Sequence, residues 1–303
     1  FMLSQMIEKY GSNSEGIYRL SPNKTNLEDL QNLNKSEGGE NLGLIFKVLK
    51  RGNKLNEALN SKEELADLGL RYDLTLPLTR YYANNKEKLM FPFKSIQIGR
   101  VYRAEQPQRG RLREFTQCDI DVIGNSSWHA EVELIDTTIS ALLKIGMNKF
   151  TIKMNDRKLL NTVLLNIGFL ENELEEVCIL LDKIDKIGLE SIREELLQRN
   201  YNNNSIEMLI KIYSNDSFRS LDYIEELCNK EYVSNISNII ETIQSIYSDN
   251  NDINISFDLS LVRGQGYYTG PVFEIVSDEF NGAIAGGGRY DNLIGKFIGE
   301  NVP

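Results

Sequence analysis

At 303 residues, 41% of them hydrophobic and 26% charged, the chain has room for one large domain and a smaller one around true apolar cores. Its net charge of −10 excludes indiscriminate nucleic-acid binding through bulk charge. No apolar run is long enough to span a bilayer, no secretory signal pattern is present, and Cys118, Cys178 and Cys228 stand isolated, so neither a disulfide framework nor a zinc site is indicated.

Phe1 precedes Met2, which points to a chain beginning partway through its native protein. Met2–Tyr10 has the apolar spacing of a short helix, and Ile17–Pro22 offers a strand-like run. Further on, Leu70–Thr75 places Asp73 and Thr75 on one face if extended. A carboxylate and a hydroxyl so spaced suit an ammonium group. The same pair equally suits the cap of a helix over Leu76–Ala83 with Pro77 in its first turn.

Ile96–Arg103 and Arg113–Ile123 read as two strands joined by a loop rich in Pro, Gln, Gly and Arg. Alternation puts Arg113, Phe115, Gln117, Asp119 and Asp121 on one face, and Thr116, Cys118, Ile120 and Val122 on the other, which is expected to pack. Charge concentrates here: Lys94, Arg100, Arg103, Arg109, Arg111 and Arg113 share a stretch whose only acid before Glu114 is Glu105. His129, the sole histidine, follows Trp128 and reads as a surface residue, which excludes histidine-based triads.

Helical spacing covers Trp128–Lys144, Phe150, Ile152 and Met154 alternate as a strand, and Asn155–Gly168 begins another helix. From Glu171 to Ser248 the character is helical, with stripes through Leu174, Val177, Leu180, Leu181, Ile184 and Ile187, and again from Val233 to Ile246. Ile255, Phe257, Leu259 and Leu261 then alternate like a strand that leads to Arg263, Gly264, Gly266 and the pair Tyr267–Tyr268. Those glycines allow close backbone approach to a ligand, and Arg263 is a fixed charge suited to carboxylate or phosphate. Pro271–Val276 resumes a strand, with Asn281-Gly282 a hairpin dipeptide. Gly286–Gly288 lacks the Walker lysine and the spacing of a dinucleotide fingerprint.

Leu261–Gly270 contains Arg-Gly-x-x-Tyr-Tyr-Thr-Gly, and Ala285–Asp291 reads Ala-Gly-Gly-Gly-Arg-Tyr-Asp. Both resemble the histidine-specific signatures of histidyl-tRNA synthetases, and Arg103–Gly124 resembles the class II motif 2 of that family along its length. The resemblance covers roughly residues 38–300. It implies an α+β fold, a class II synthetase-like antiparallel sheet flanked by helices, with an all-helical insertion domain. The expected division is a catalytic first part over 1–156, carrying a weak motif 1 and motif 2, the insertion over 157–252, and a second catalytic part over 253–303 that ends before motif 3.

Roles follow by position. The resemblance implies that Arg103 binds the α-phosphate of ATP, Glu105 the adenine end, and Arg113 the outer phosphates, with Phe115 stacked on adenine. Gln117, Asp73 and Thr75 would hold the α-amino group of histidine, and Asp121 would face its imidazole, closed in by Tyr268 and Tyr290. Arg263 would bridge the histidine carboxylate and the α-phosphate. Mg²⁺ is expected on the outer phosphates, with tRNA(His) as second substrate, a homodimer as assembly and the cytoplasm as location.

Such chemistry needs no general base, because the attacking carboxylate is already an anion. It needs two anions held together in line and neutralised, which favours arginine over histidine or cysteine. Because the chain ends before motif 3, the 303-residue piece alone is expected to activate histidine poorly. The alternative reading is a non-catalytic regulatory subunit of ATP phosphoribosyltransferase. The presence of Arg103, Arg113, Arg263, Tyr268 and Tyr290 argues against it.

Overall fold

The computed structural model describes residues 24–26, 43–61, 64–106, 112–228, 230–262, 268–280 and 282–303. The Met2–Tyr10 and Ile17–Pro22 readings lie outside these residues, as does Arg263. In chain order the elements are β1 (Lys24–Asn26), β2 (Lys47–Leu49), α1 (Asn53–Ser61), β3 (Ala66–Leu70), α2 (Thr75–Asn85), β4 (Phe93–Tyr102) and β5 (Glu114–Ile123). There follow α3 (His129–Lys144), β6 (Phe150–Asp156), α4 (Arg157–Asn166), α5 (Leu174–Leu181), α6 (Ile184–Ile187), α7 (Leu189–Gln198), α8 (Asn203–Ser214), α9 (Leu221–Leu227) and α10 (Lys230–Ile246). The chain closes with β7 (Ile253–Phe257), β8 (Pro271–Val276), β9 (Ala283–Gly288) and α11 (Asp291–Ile298). The mixture of helices and largely antiparallel sheets is α+β.

Two compact units emerge, one of residues 1–125 with 291–303, the other of 126–290. In the first, β1, β3 and β2 form a small antiparallel sheet and β4–β5 a long hairpin in unbroken register from Phe93↔Ile123 to Tyr102↔Glu114. Leu78 and Tyr82 of α2, Phe93, Ile123, Ile294 of α11 and Val302 make one apolar cluster at the base of that hairpin. Helix α2 starts at Thr75, one residue before the expected Leu76, and the Asp73 carboxylate accepts from the Leu76 amide at 3.3 Å. The cap-like contact is thus present, and it satisfies a backbone donor that the first helical turn leaves open.

In the second unit the sheet order is β7-β6-β8-β9, with β6 parallel to β7 and antiparallel to β8. Phe150, Ile152 and Met154 of β6 share a core with Ile135 and Ile139 of α3 and with Ile236, Ile239 and Ile243 of α10. A second core gathers buried residues of α4, α5, α7, α8 and α9, such as Leu159, Val177, Ile192, Ile206 and Ile224. Helix α10 divides its stripe: Val233 packs into the helical core and its later isoleucines into the sheet core.

Two expected boundaries shift. The helix after β6 starts at Arg157 rather than Asn155, because the Asp156 carboxylate caps it by accepting from the amides of Lys158 at 2.7 Å and Leu159 at 3.1 Å. Strand β7 ends at Phe257, so Leu259 and Leu261 are not strand residues. Asp258 turns the chain by accepting from the Ser260 amide at 3.0 Å, and Leu259 drops into the helical core. The carbonyls of Leu259 and Leu261 accept from the Asn155 side-chain amide at 3.1 and 3.0 Å, and Tyr213 donates to Leu259 at 3.1 Å. These buried bonds fix the backbone just ahead of Arg263.

Candidate active site

The β4–β5 hairpin reverses one expectation. Thr116 and Cys118 are exposed, as are Ile96 and Ile98 at 40% and 43%, all on the face expected to pack. The covered face is the polar one. Phe93, Ser95, Gln97 and Val101 of β4 are buried, and their register partners are Ile123, Asp121, Asp119 and Phe115. Part of the cover comes from the segment ahead of α2. Arg71 donates from Nε and Nη2 to the Arg100 carbonyl at 3.0 and 2.7 Å. Gly99 admits this approach, since a Cβ there would meet Arg71 Nη2 at 3.1 Å and Leu74 Cδ2 at 3.3 Å.

Arg103, just beyond β4, is held by stacking. Its guanidinium carbon lies 4.7 Å from the centroid of Tyr72 and 5.1 Å from that of Phe115, and its Nε donates to the Tyr72 carbonyl at 3.4 Å. Planar contact with two aromatic faces restrains a cation that lysine would leave swinging. Asp73 sits close enough to feel that charge. Burial pushes its carboxyl up, while the Leu76 amide, Arg103 and the Thr75 amide pull it back down. At the mouth of the hairpin Arg113 donates from Nε to the Glu105 carbonyl at 3.0 Å, and the Arg103 amide bonds to the Arg113 carbonyl at 2.9 Å. Asp73, Thr75, Arg103, Glu105, Arg113, Phe115, Gln117 and Asp121 therefore all belong to one unit, around one hairpin.

Strand parity had placed Asp119 on that face without giving it a role. Its ionisation is displaced too: burial, then the Asp121 and Asp73 carboxylates, push it up to about 7, against the pull of Gln117 and Arg103. Gln97, also given no role, donates from Nε2 towards Asp121 Oδ2 at 3.5 Å. The signal available in the sequence was its position two residues before Gly99 on a strand facing the acids.

Tyr268 and Tyr290 lie in the second unit, in the two segments that carry the histidine-type signatures. These segments are sewn together. The Thr269 amide donates to the Arg289 carbonyl at 2.7 Å, the Arg289 amide to Pro271 at 2.9 Å, and β8 pairs with β9 through Val272↔Gly288. Arg289 is itself clamped: Nε and Nη2 donate to the Glu131 carboxylate at 2.6 and 2.8 Å, and Nη2 also to the Ser127 carbonyl at 3.1 Å. Spacing alone did not reveal Glu131, which comes from α3.

Gly287 and Gly288 of β9 are packing requirements. A Cβ at Gly288 would come within 2.8 Å of the Pro271 carbonyl, Tyr268 Cδ1 and Val272 Cγ1 alike. Gly288→Ala is expected to destabilise the protein by about 1–3 kcal/mol and to displace Tyr268, since one contact is backbone and cannot rotate away. Denaturant unfolding checks this; an unchanged midpoint would mean the β8–β9 pair yields freely.

The Histidyl-tRNA synthetase family model matches residues 46–303. A histidine–tRNA ligase of Leifsonia xyli subsp. xyli is 37% identical over 294 residues, covering 91% of this chain and 67% of that protein. One of Aeropyrum pernix is 40% identical over 238 residues, 77% of this chain and 54% of its own length. Among solved structures, histidyl-tRNA synthetase from Nostoc sp. PCC 7120 superposes with a TM-score of 0.75 at 25% identity, over 100% of this chain and 67% of that one. An ATP phosphoribosyltransferase regulatory subunit/histidyl-tRNA synthetase from Bacillus halodurans C shares the fold, with a TM-score of 0.76 at 23% identity over 99% and 74%. A motif 2 hairpin with its stacked arginine, two interlocked signature segments and these matches over most of the chain agree: it belongs to the histidyl-tRNA synthetase family.

Proposed function

We propose that this chain is the amino-acid-activating core of a histidine–tRNA ligase. The observation that carries the reading is Arg103, fixed between Tyr72 and Phe115 beside the buried Asp73. A preorganised cation next to a buried anion is what joining a phosphate to an amino acid requires. The histidine carboxylate oxygen attacks the α-phosphorus of ATP, the bond to the bridging oxygen breaks, and pyrophosphate leaves with its electrons. No proton has to move. Transfer of the histidyl group to tRNA(His) follows.

In this reading Arg103 takes the α-phosphate, Arg113 the outer phosphates, and Glu105 and Phe115 the adenine. Asp73, Thr75 and Gln117 take the α-amino group, Asp121 the imidazole, with Tyr268 and Tyr290 against the ring. Arg263 bridges carboxylate and α-phosphate. No group of three metal-ligating side chains occurs among the described residues. Mg²⁺ would travel on the oxygens of ATP, as it commonly does.

The family resemblance supports a homodimer, and isolated cysteines together with a tRNA substrate support the cytoplasm. No helix among the described residues is long and apolar enough to cross a membrane. The shared core of α4, α5 and α7–α9 supports reading 157–252 as a helical insertion between catalytic parts at 1–156 and 253–303. The regulatory-subunit reading has less behind it, since Arg103, Arg113, Arg263, Tyr268 and Tyr290 are all present.

Hydroxylamine trapping tests the proposal. Incubation with ATP and L-histidine should yield histidine hydroxamate above the background without ATP. Histidine binding with no hydroxamate formed would point to the regulatory reading instead.

A further inference from the structure

The residues on either side of the Arg263 segment are held at one place, the junction of β6 and α4. The last backbone rung from β6 on the incoming side is the Asp258 amide to the Met154 carbonyl, at 2.7 Å. Beyond it a side chain continues the ladder. Asn155 Nδ2 donates to the carbonyls of Leu259 at 3.1 Å and Leu261 at 3.0 Å, while its Oδ1 accepts from the Asp156 amide at 2.8 Å. Both donors of that side-chain amide are used, and the Asp156 contact dictates which way it faces. On the outgoing side the Arg157 amide donates to the Gly270 carbonyl at 3.0 Å, and Asp156 pairs with Pro271. Arg157 also reaches back from Nη1 to the Val262 carbonyl, at 3.4 Å.

The helical core adds a second grip. Tyr213, near the end of α8, donates its hydroxyl to the Leu259 carbonyl at 3.1 Å, so that oxygen accepts twice. Leu259 and Val262 are 0% and 2% exposed, with their side chains in the same core as Tyr213. Burial above all pushes the Tyr213 hydroxyl up, so it stays a donor at any working pH. One donor would satisfy the Leu259 carbonyl; a second, from another element, fixes its position as well.

Resting on the histidine-ligase reading above, we propose that Asn155 and Tyr213 are positioning residues for amino-acid activation, fixing the backbone that leads into Arg263. They act through Arg263 and not on the substrate. An arginine that must bridge a carboxylate and an α-phosphate in line loses its effect when its backbone origin shifts by about 1 Å. Tyr213 in addition ties the helical core to the catalytic step.

The test compares Tyr213→Phe with Ile212→Val, a buried neighbour on the same helix and in the same core. Both variants should melt slightly below wild type. Only Tyr213→Phe is expected to lower kcat for histidine-dependent ATP–pyrophosphate exchange, by about 3–10-fold per folded molecule, with the KM for ATP unchanged. Asn155→Asp keeps the side-chain shape and the acceptor for Asp156 but removes both donors, and should lower kcat about 10²-fold. If it fails to fold, Tyr213→Phe decides alone. Amide hydrogen exchange at Ser260 and Leu261, whose N–H groups bond to Asp258 within this turn, reads the anchor without turnover. It should quicken in Tyr213→Phe and not in Ile212→Val. A wild-type kcat in Tyr213→Phe, or a raised KM with kcat intact, overturns the proposal, as does unaltered amide exchange at both positions. Quickened amide exchange in Tyr213→Phe, beside a wild type with no histidine-dependent pyrophosphate exchange, would instead overturn the ligase reading itself.

Discussion

Replacing Arg103 by alanine is expected to lower ATP–pyrophosphate exchange by roughly 10²–10³-fold, the usual cost of deleting one preorganised donor at a developing charge. The size follows from how the side chain is held. Tyr72 and Phe115 flank the guanidinium at 4.7 and 5.1 Å, and the Tyr72 carbonyl orients it from a third side. An ammonium has neither the plane to stack nor the fork to grip two oxygens, so Arg103→Lys should recover little. Thermal stability is expected to change only slightly, because Arg103 is half-buried and its guanidinium bond to the Tyr72 carbonyl is long. Comparing exchange rates with melting temperatures separates the two effects. A large drop in melting temperature alongside lost exchange would make Arg103 structural.

The second large effect is on stability. Glu131→Ala removes the carboxylate that clamps Arg289, whose side chain is only 11% exposed, with Glu131 at 6%. The guanidinium then keeps its bond to the Ser127 carbonyl but loses its countercharge. Breaking one side of a buried pair costs about 3–5 kcal/mol, because the survivor is a desolvated charge. For a protein of this size that is a fall in melting temperature of about 5–8 °C. Replacing both partners, as in Glu131→Met with Arg289→Met, should recover much of the loss, since a well-packed apolar pair carries no such penalty. If the double variant melts below Glu131→Ala, the pair contributes in its own right. Either result bears on the site, because Arg289 carries the backbone bonds to Thr269 and Pro271 that hold the two signature segments together.

Much of this arrangement is legible in residue order. The alternation Phe115, Gln117, Asp119, Asp121 survives as one face of β5, with Arg113 just ahead of it, and most of the helical stripes of 174–246 become buried sides of their helices, Ile187 and Ile246 staying exposed. Which face of the hairpin is covered is not legible, because part of the cover is contributed by Arg71 and Leu74, from a segment some thirty positions earlier. Apolar Ile96 and Ile98 suggest a packed side, yet the polar side is the enclosed one. Leu259 and Leu261 fail for a related reason. Their alternation is strand-like, but a side-chain bond from Asp258 to its own neighbour turns the chain first. Asp119 was visible but mute, as its displaced ionisation depends first on burial and then on the Asp121 and Asp73 carboxylates.

The most direct test of the central claim is amino-acid-dependent ATP–pyrophosphate exchange, run with each of the twenty amino acids separately. Exchange above background with histidine alone is the predicted result. Exchange with another amino acid, or none while L-histidine remains bound, would contradict it.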